Sequence, residues 1–199
     1  MTRSRLVQIA VGVLLLGVLA WGVMRSLEYL VTPRVAAPAG VEEPGTAADV
    51  PHITATLYYA DAEGQALVPV QREVPLAEDT VTQGRQILTA QLEAAPEPQV
   101  SVIPQGTTLR AFYVTERGDA FVDLSPEVSA NHPGGSFTEL LTVYAIVNAV
   151  TANLPAIQRV QILIDGKEAD TLAGHVDLRR PLQRDQALVR EPGAQASEP

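Results

Sequence analysis

The chain has 199 residues, a formal net charge of −9 and no cysteine. The missing cysteine excludes a disulfide framework, a thiolate metal centre, a catalytic thiol and a lipid-modified cysteine. The acidic balance argues against a nucleic acid partner, because phosphate recognition relies on a basic face.

Residues 6–24 are almost entirely apolar, with Gln8 as the one clearly polar residue, and they explain why so acidic a chain has a mean hydropathy of +0.10. A helix of this length is about 28 Å long, which matches the hydrocarbon core of a bilayer. Arg3 and Arg5 precede the segment and favour a cytoplasmic N-terminus. We therefore predict a cytoplasmic stub and a transmembrane signal anchor over residues 1–30, with the lipid bilayer as the partner of residues 6–24.

Two alternatives remain for this segment, a cleaved signal peptide and a buried helix of a soluble protein. A cleaved signal has a shorter apolar region and a small-x-small site close behind it, which Val18-Leu19-Ala20 matches poorly. The anchor interpretation predicts a single-pass protein of the cytoplasmic membrane, with its domain on the extracytoplasmic side.

The rest of the chain divides into three parts. Residues 31–51 are rich in proline and alanine without apolar periodicity, which is typical of a semi-extended linker. Residues 183–199 are short and polar and are predicted to be a disordered tail. Residues 52–182 have the length of one ordinary domain.

The first half of the domain predicts two strands and a helix. Residues 52–60 and 65–76 alternate in polarity, and Pro69 and Pro75 lie on the same side of the second segment, which predicts an edge strand. Thr80 and Gln83 match a capping box that starts a helix ending near Glu93, before two prolines.

The second half predicts a hairpin, a helix and further strands. Residues 108–116 and 119–124 form the hairpin, and Ser136 and Glu139 form a second capping box for a helix that ends near Leu154. Strands follow over residues 160–164 and 171–178, separated by the Asp165-Gly166 turn. This order predicts an α+β domain, in which a small mixed or antiparallel sheet carries both helices on one face.

Residues that could carry chemistry are scattered. His52, His132 and His175 fall in different elements without ligand spacing, and the capping box accounts for Ser136 beside His132. The acidic group at Asp165, Glu168 and Asp170 lacks the spacing of a calcium loop. We therefore predict no catalytic, cofactor or metal site, and hence no enzyme.

Asn148 lies beside the apolar stripe of the second predicted helix, where a buried amide needs specific partners. One interpretation is that Asn148 bonds to a neighbouring loop and holds it in place. The other is a ligand contact, which predicts a concave pocket lined by Asn148, Asp123 and His175.

Six short motifs, taken in chain order, resemble those of the GerMN domain over approximately residues 53–182. They lie at residues 57–61 (LYYAD), 121–125 (FVDLS), 134–140 (GGS followed by EL), 143–148 (VYAIVN), 160–168 (VQILIDGKE) and 171–175 (TLAGH). The motif residues that we single out as the family signature or as interaction residues are Asp123, Ser125, Gly135, Ser136, Glu139, Tyr144, Asn148, Asp165, Gly166, Gly174 and His175.

The resemblance implies a fold similar to the ring-building motif of secretion assemblies. GerMN domains occur in bacterial envelope proteins, including those of sporulation and spore germination, and are understood as non-catalytic. The resemblance therefore implies a binding or scaffolding module of the envelope, with an envelope protein or a second copy as partner; the alternative is a domain that binds a small ligand or cell-wall glycan. Two surfaces are candidates for contact, the proline-marked edge strand and the loop Pro133–Gly135.

Overall fold

The computed structural model describes residues 50–190, so the predicted anchor, the linker up to residue 49 and the last residues of the predicted tail lie outside it. Within residues 50–190, no helix is both long and apolar enough to cross a bilayer. The described part of the chain is a mixed α+β domain.

The described residues form seven strands and three helices, and as far as β5 their order is the predicted one except for the short helix α2, which the sequence does not predict. The elements are β1 (His52–Ala60), β2 (Leu67–Pro75), α1 (Thr80–Gln91), β3 (Leu109–Val114), β4 (Asp119–Leu124), α2 (Glu127–Ala130), α3 (Ser136–Asn153), β5 (Arg159–Ile164), β6 (Lys167–Glu168) and β7 (Leu182–Gln183).

The strands form two sheets, whereas the sequence predicts one. Strands β1 and β2 pair only with each other as a two-stranded antiparallel sheet. In the second sheet β3 is antiparallel to β4, β4 is parallel to β5, and β6 and β7 pair with opposite ends of β5. Helices α1 and α3 each contact strands of both sheets, so they do not pack on one face of one sheet as predicted. Because α3 is buried on several sides from Leu141 to Val150, it can pack against both sheets.

The core lies between these helices and the two sheets, and it is aliphatic with three large aromatic side chains. Its largest fully buried members are Tyr58, Tyr59, Phe112, Leu57, Leu67, Ile87, Leu88, Leu124, Leu141, Ile146, Ile162 and Leu178.

Strand β2 is an edge strand, as its prolines predict. The N–H of Leu67 points away from β1 and donates to the Leu188 carbonyl at 2.8 Å. Pro69 and Pro75 share the parity of Leu67, so their nitrogens face the same outer edge. The missing donors therefore cost β2 no hydrogen bond to β1.

The outer edge of β1 is closed by side-chain amides instead of a third strand. The Gln91 amide accepts the N–H of Tyr58 and donates to its carbonyl, at 2.8 and 2.7 Å. The Asn153 amide makes the same pair of bonds to Thr56, both at 2.8 Å. A backbone bridge between Ala60 and Val100 completes the edge. Helices α1 and α3 thus seal β1 with their own side chains.

Helix α1 begins at Thr80, which the sequence predicts to be the N-cap, and its N-cap is Asp79. The backbone of Asp79 is extended, and its carboxylate accepts the N–H of Thr82 at 2.9 Å. The Gln83 side chain does not reach back to the cap, because it bonds the N–H of Ala77 and the carbonyl of Pro75. The capping pattern is therefore shifted by one residue from the prediction.

The sequence assigns residues 183–199 to a disordered tail, whereas residues 183–190 are packed against the domain. Gln183 belongs to β7, and the N–H of Arg190 donates to the Leu67 carbonyl at 2.8 Å. The Arg190 guanidinium also pairs with the largely buried Asp61 carboxylate at 2.6 Å. The domain therefore extends at least to Arg190, because buried groups on β1 and β2 take their partners from this segment.

We predict that Gln91→Met destabilises the domain by roughly 2–6 kcal/mol. Methionine keeps the length of the side chain but leaves both backbone groups of the buried Tyr58 unpaired, at about 1–3 kcal/mol for each. Urea denaturation followed by circular dichroism measures the change. Gln86→Met, at a half-buried position of the same helix, is the control and should change stability by less than about 1 kcal/mol. Equal effects at the two positions would contradict the assigned role of Gln91.

Candidate functional site

The eleven predicted site residues are not brought together in one pocket but fall into three separate groups. The first surrounds the start of α3, the second lies at the ends of β4 and β5, and the third lies on the middle of α3. The first group consists of Gly135, Ser136, Glu139, Gly174 and His175. The second consists of Asp123, Ser125, Asp165 and Gly166, and the third of Tyr144 and Asn148.

The first group centres on the Glu139 carboxylate, which is completely buried. One oxygen accepts the N–H groups of Leu172, Ala173 and Val176 at 2.9, 2.9 and 3.2 Å. The other accepts the N–H of His175 at 2.8 Å and contacts its ring Nδ1 at 3.0 Å. The carboxylate thus holds the whole segment 171–176 in a closed loop.

This arrangement corrects two predictions. Glu139 does not form a capping box with Ser136: the N-cap of α3 is Gly135, no side chain caps it, and Ser136 is exposed. The predicted strand over residues 171–178 is a loop, because Glu139 takes the N–H groups that a strand would use for its ladder. Gly135 and Gly174 have positive φ values of 89° and 103°, which glycine adopts without strain.

The surroundings of Glu139 keep its carboxylate ionised. Burial is the largest single effect and raises the pKa of Glu139, but the N–H groups of Ala173, Val176 and His175, together with the His175 ring, outweigh it. The pKa of Glu139 therefore lies below its ordinary value. A buried charge is stable here because its hydrogen-bonding capacity is satisfied.

His132 lies next to this group and has both ring nitrogens bonded. The N–H of Gly134 donates to Nδ1 at 3.0 Å, so Nδ1 carries no proton in this arrangement. Nε2 contacts the Thr142 hydroxyl at 3.2 Å, and that hydroxyl reaches the Val102 carbonyl at 2.6 Å. Burial lowers the pKa of His132; the Glu139 charge opposes this effect and nearby His175 adds to it. His132 is therefore a neutral structural residue that holds the Pro133–Gly135 loop.

The second group fixes the turn that follows β5. The buried Asp123 carboxylate accepts the N–H of Gly166 at 2.7 Å and bonds the Arg110 guanidinium at 3.2 Å. Arg110 also pairs with Asp165 at 3.0 Å, and Asp165 has a left-handed backbone with φ of 53°. Ser125 accepts the N–H of Thr108 at 2.9 Å and so extends the pairing of β3 with β4.

The third group bears out the structural interpretation of Asn148. This amide is completely buried, donates to the Asp185 carbonyl at 2.8 Å and accepts the Asp185 N–H at 3.1 Å. It therefore holds the segment that follows β7. Tyr144 is half-buried one turn earlier; burial and, to a lesser degree, Asp185 raise the pKa of its phenol.

The pocket expected from Asn148, Asp123 and His175 is not formed among residues 50–190, since the three residues have separate partners: Asn148 bonds Asp185, Asp123 bonds Gly166, and His175 bonds Glu139. None of the three clefts described for this domain is lined by any of them. Across residues 50–190, no group of three or more His, Asp or Glu side chains is placed to hold a metal ion.

Several residues that anchor strands and loops are not predicted from the sequence, above all Gln91, Asn153 and Arg110. The side-chain amides of Gln91 and Asn153 bond backbone groups that are distant in the chain. Arg110 binds Asp123 and Asp165, which lie 13 and 55 positions away (123 − 110 and 165 − 110). No local pattern predicts such pairs.

One end of the domain carries most of these loops, and we call it the loop end. It comprises the β1–β2 turn (61–66) and the segments 99–105, 131–135 and 171–176. The N-terminus of α3 lies here, because Thr138 and Leu141 line one cleft with Ala60 and Ala62. The opposite end of β1, at His52, is roughly 27 Å away at about 3.3 Å per residue.

The loop-end cleft has a volume of about 460 Å³, which is within the usual range for binding clefts of roughly 300–1,000 Å³. Its walls are mostly apolar and include Val102, Ile103, Pro133 and Leu141. Phe137 is 43% exposed and is adjacent in sequence to Thr138 of the cleft wall. The Pro133–Gly135 loop, one of the two candidate contact surfaces, borders this cleft through Pro133.

Fold and site together define a small α+β domain whose polar motif residues hold loops. A family model described as Germane, sporulation and spore germination, matches residues 56–170, which is more than half of the 199 residues. The chain belongs to this family, and its resemblance to GerMN domains is confirmed.

A solved structure agrees with this assignment at the level of the fold. The tandem GerMN domains of the sporulation protein GerM from Bacillus subtilis align with 21% identity and a TM-score of 0.52, over 67% of this chain and 45% of that one. This chain thus spans less than half of the tandem protein. A Clostridium perfringens protein described as a lipoprotein aligns with 22% identity and a TM-score of 0.49, over 68% and 89% of the two chains. The comparison with curated proteins gives no match.

We predict that Glu139→Gln destabilises the domain by roughly 2–4 kcal/mol, because the amide nitrogen would face backbone donors. Urea denaturation measures the loss of stability. Hydrogen exchange should show that, relative to the parent, the variant speeds exchange of the Leu172–Val176 amides more than exchange of the β4 amides. Glu168→Gln, at an exposed position of β6, is the control and should leave both unchanged. A loop that stays protected in the Glu139 variant would contradict this role.

We also predict that the domain loses stability through His132 as the pH falls below about 6.5. Its folded pKa is lowered, so the unfolded chain binds the proton more readily. The stabilising contribution of neutral His132 is therefore complete above its unfolded pKa of about 6.5. It declines as the pH falls from there through the pKa of His132 in the folded domain. The slope for one proton is at most about 1.4 kcal/mol per pH unit.

Denaturation at a series of pH values tests the role of His132. His132→Gln should have a flatter profile over this range, and His52→Gln, at an exposed position, should retain the parent profile. Identical slopes in the parent and the His132 variant would show that another group is responsible.

Proposed function

We propose that the chain is a non-catalytic, membrane-tethered binding or scaffolding module of the bacterial cell envelope. The apolar segment 6–24 is the tether, the linker separates the domain from the bilayer, and the loop end receives an envelope protein. The observation that carries the proposal is an open apolar cleft at the end of β1 remote from the linker junction.

The contacts of the motif residues support a role without catalysis. Glu139, Asp123 and Asn148 are buried and bonded to backbone groups of loops, so none of them is free to act as an acid, a base or a ligand donor. General acid–base work requires a group that can reach substrate. The same contacts give the loops fixed shapes, as recognition by a rigid surface requires.

Of the two candidate surfaces, the structure favours the loop end over the edge of β2. Pro69 and Pro75 remove two donors from that edge, the Pro75 carbonyl is taken by Gln83, and Leu67 is paired with the C-terminal segment. A partner strand would find few backbone groups there. The loop end offers instead an apolar cleft with the exposed Phe137 nearby.

The family description, sporulation and spore germination, agrees with an envelope role. The structure of GerM has two GerMN domains in tandem, whereas the described part of this chain forms one. We therefore propose a binding module without assigning it to sporulation or germination. The identity of its partner will show in which cellular process it acts.

We predict that a photocrosslinking amino acid at Phe137 of the full chain, expressed in cells, forms an adduct with one envelope protein. The same probe at Tyr113, which is 58% exposed on β3, is the matched control and should not form it. Mass spectrometry identifies the adduct.

The identified protein, once purified, should bind the full chain in detergent. It should also bind the Tyr113→Arg variant but not Phe137→Arg. No adduct from Phe137, or equal adducts from both positions, would contradict the proposal. An adduct of the chain with itself would replace the envelope partner by self-assembly.

A further inference from the structure

The loop-end cleft has one charged lining residue, Glu63. The other lining side chains are apolar or neutral, among them Val102, Ile103, Ser101 and Gln105. Glu63 lies in the β1–β2 turn and is exposed. Within residues 50–190 its carboxylate makes neither an ion pair nor a side-chain hydrogen bond; its backbone carbonyl alone accepts a bond, from Gln65.

The neighbouring charges are already paired. The Asp61 carboxylate binds Arg190 at 2.6 Å and accepts the N–H groups of Gln65 and Ala66. Arg190 is thereby held at Asp61. The cleft consequently combines apolar walls with one negative charge that has no partner in the described domain.

These features select the chemistry of an occupant. Apolar walls stabilise an aliphatic or aromatic side chain by roughly 25 cal/mol for each Å² removed from water. An unpaired carboxylate at the rim attracts a cation and repels an acidic segment, and the acidic chain as a whole strengthens this preference. A volume of about 460 Å³ accommodates more than one side chain.

We propose that the loop-end cleft binds an extended segment of a partner protein in which an apolar residue stands next to a lysine or arginine. The apolar side chain enters between Ile103 and Leu141, and the cation pairs with Glu63. This inference rests on the proposed function and adds to it the chemical class of the partner and the residue that selects it.

The test uses a phage-displayed library of random seven-residue peptides, panned on the full chain in detergent. Enriched peptides should contain an apolar residue adjacent to Lys or Arg. The most enriched peptide, made synthetically, should bind with an affinity that falls as salt is raised. Chemical shifts should change at residues 100–105 and 60–64.

Glu63→Lys should weaken binding of this peptide at least tenfold. Glu116→Lys makes the same change of net charge in the exposed β3–β4 turn and should alter affinity less than twofold. Panning on Glu63→Lys should enrich acidic in place of basic residues next to the apolar one.

Enrichment without basic residues, no enrichment, or equal effects of the two lysine variants would overturn the inference. Failure of this inference can be distinguished from failure of the proposed function. If the Phe137 adduct forms undiminished in the Glu63→Lys chain, the binding module stands and the role of Glu63 is wrong. If no Phe137 adduct forms in the parent chain, the binding module itself is wrong.

Discussion

The buried Glu139 carboxylate is the constraint on which the loop end depends. A charge with no exposed surface must be compensated by hydrogen bonds, and here four backbone N–H groups supply them. Those donors come from one short segment, so segment 171–176 has little conformational freedom while Glu139 is ionised. The glycine at position 174 allows the chain to curve around the carboxylate. The first turn of α3 therefore sets the shape of a loop more than thirty residues away.

The same principle recurs wherever a strand or loop lacks a backbone partner. Gln91 and Asn153 supply to β1 the donors and acceptors that a third strand would supply, and Asn148 does so for Asp185. An amide suits this role because its NH2 group donates and its carbonyl oxygen accepts side by side, as neighbouring backbone groups do. Two small sheets can thus share one helical layer without leaving a buried edge unpaired.

These contacts explain what the sequence could and could not predict. Alternation of polarity locates β1 and β5 closely, because alternation is a local consequence of burial on one face. The Ser136–Glu139 spacing predicts a capping box that does not form, since the local pattern is the same whether the glutamate side chain turns back to the helix cap or into the domain. The C-terminal segment looks polar and short, but its order depends on Asn148, Asp61 and Leu67, which no local rule connects to it. Local apolar patterns can therefore be predicted from the sequence, whereas polar pairs between residues distant in the chain cannot.

The distinction also separates the structural part of the motif set from the functional surface. A motif residue that is buried and bonded to backbone preserves a loop shape, whatever that loop later contacts. Under the proposed function, recognition then falls to exposed residues, and at the loop end these include Phe137 and Glu63, neither of which belongs to the motif set. Glu139 and Asp123 fix the shapes of loops and turn no polar atom toward a partner. A substitution at Phe137 or Glu63 can therefore test binding without loosening the fold, whereas a substitution at Glu139 or Asp123 cannot.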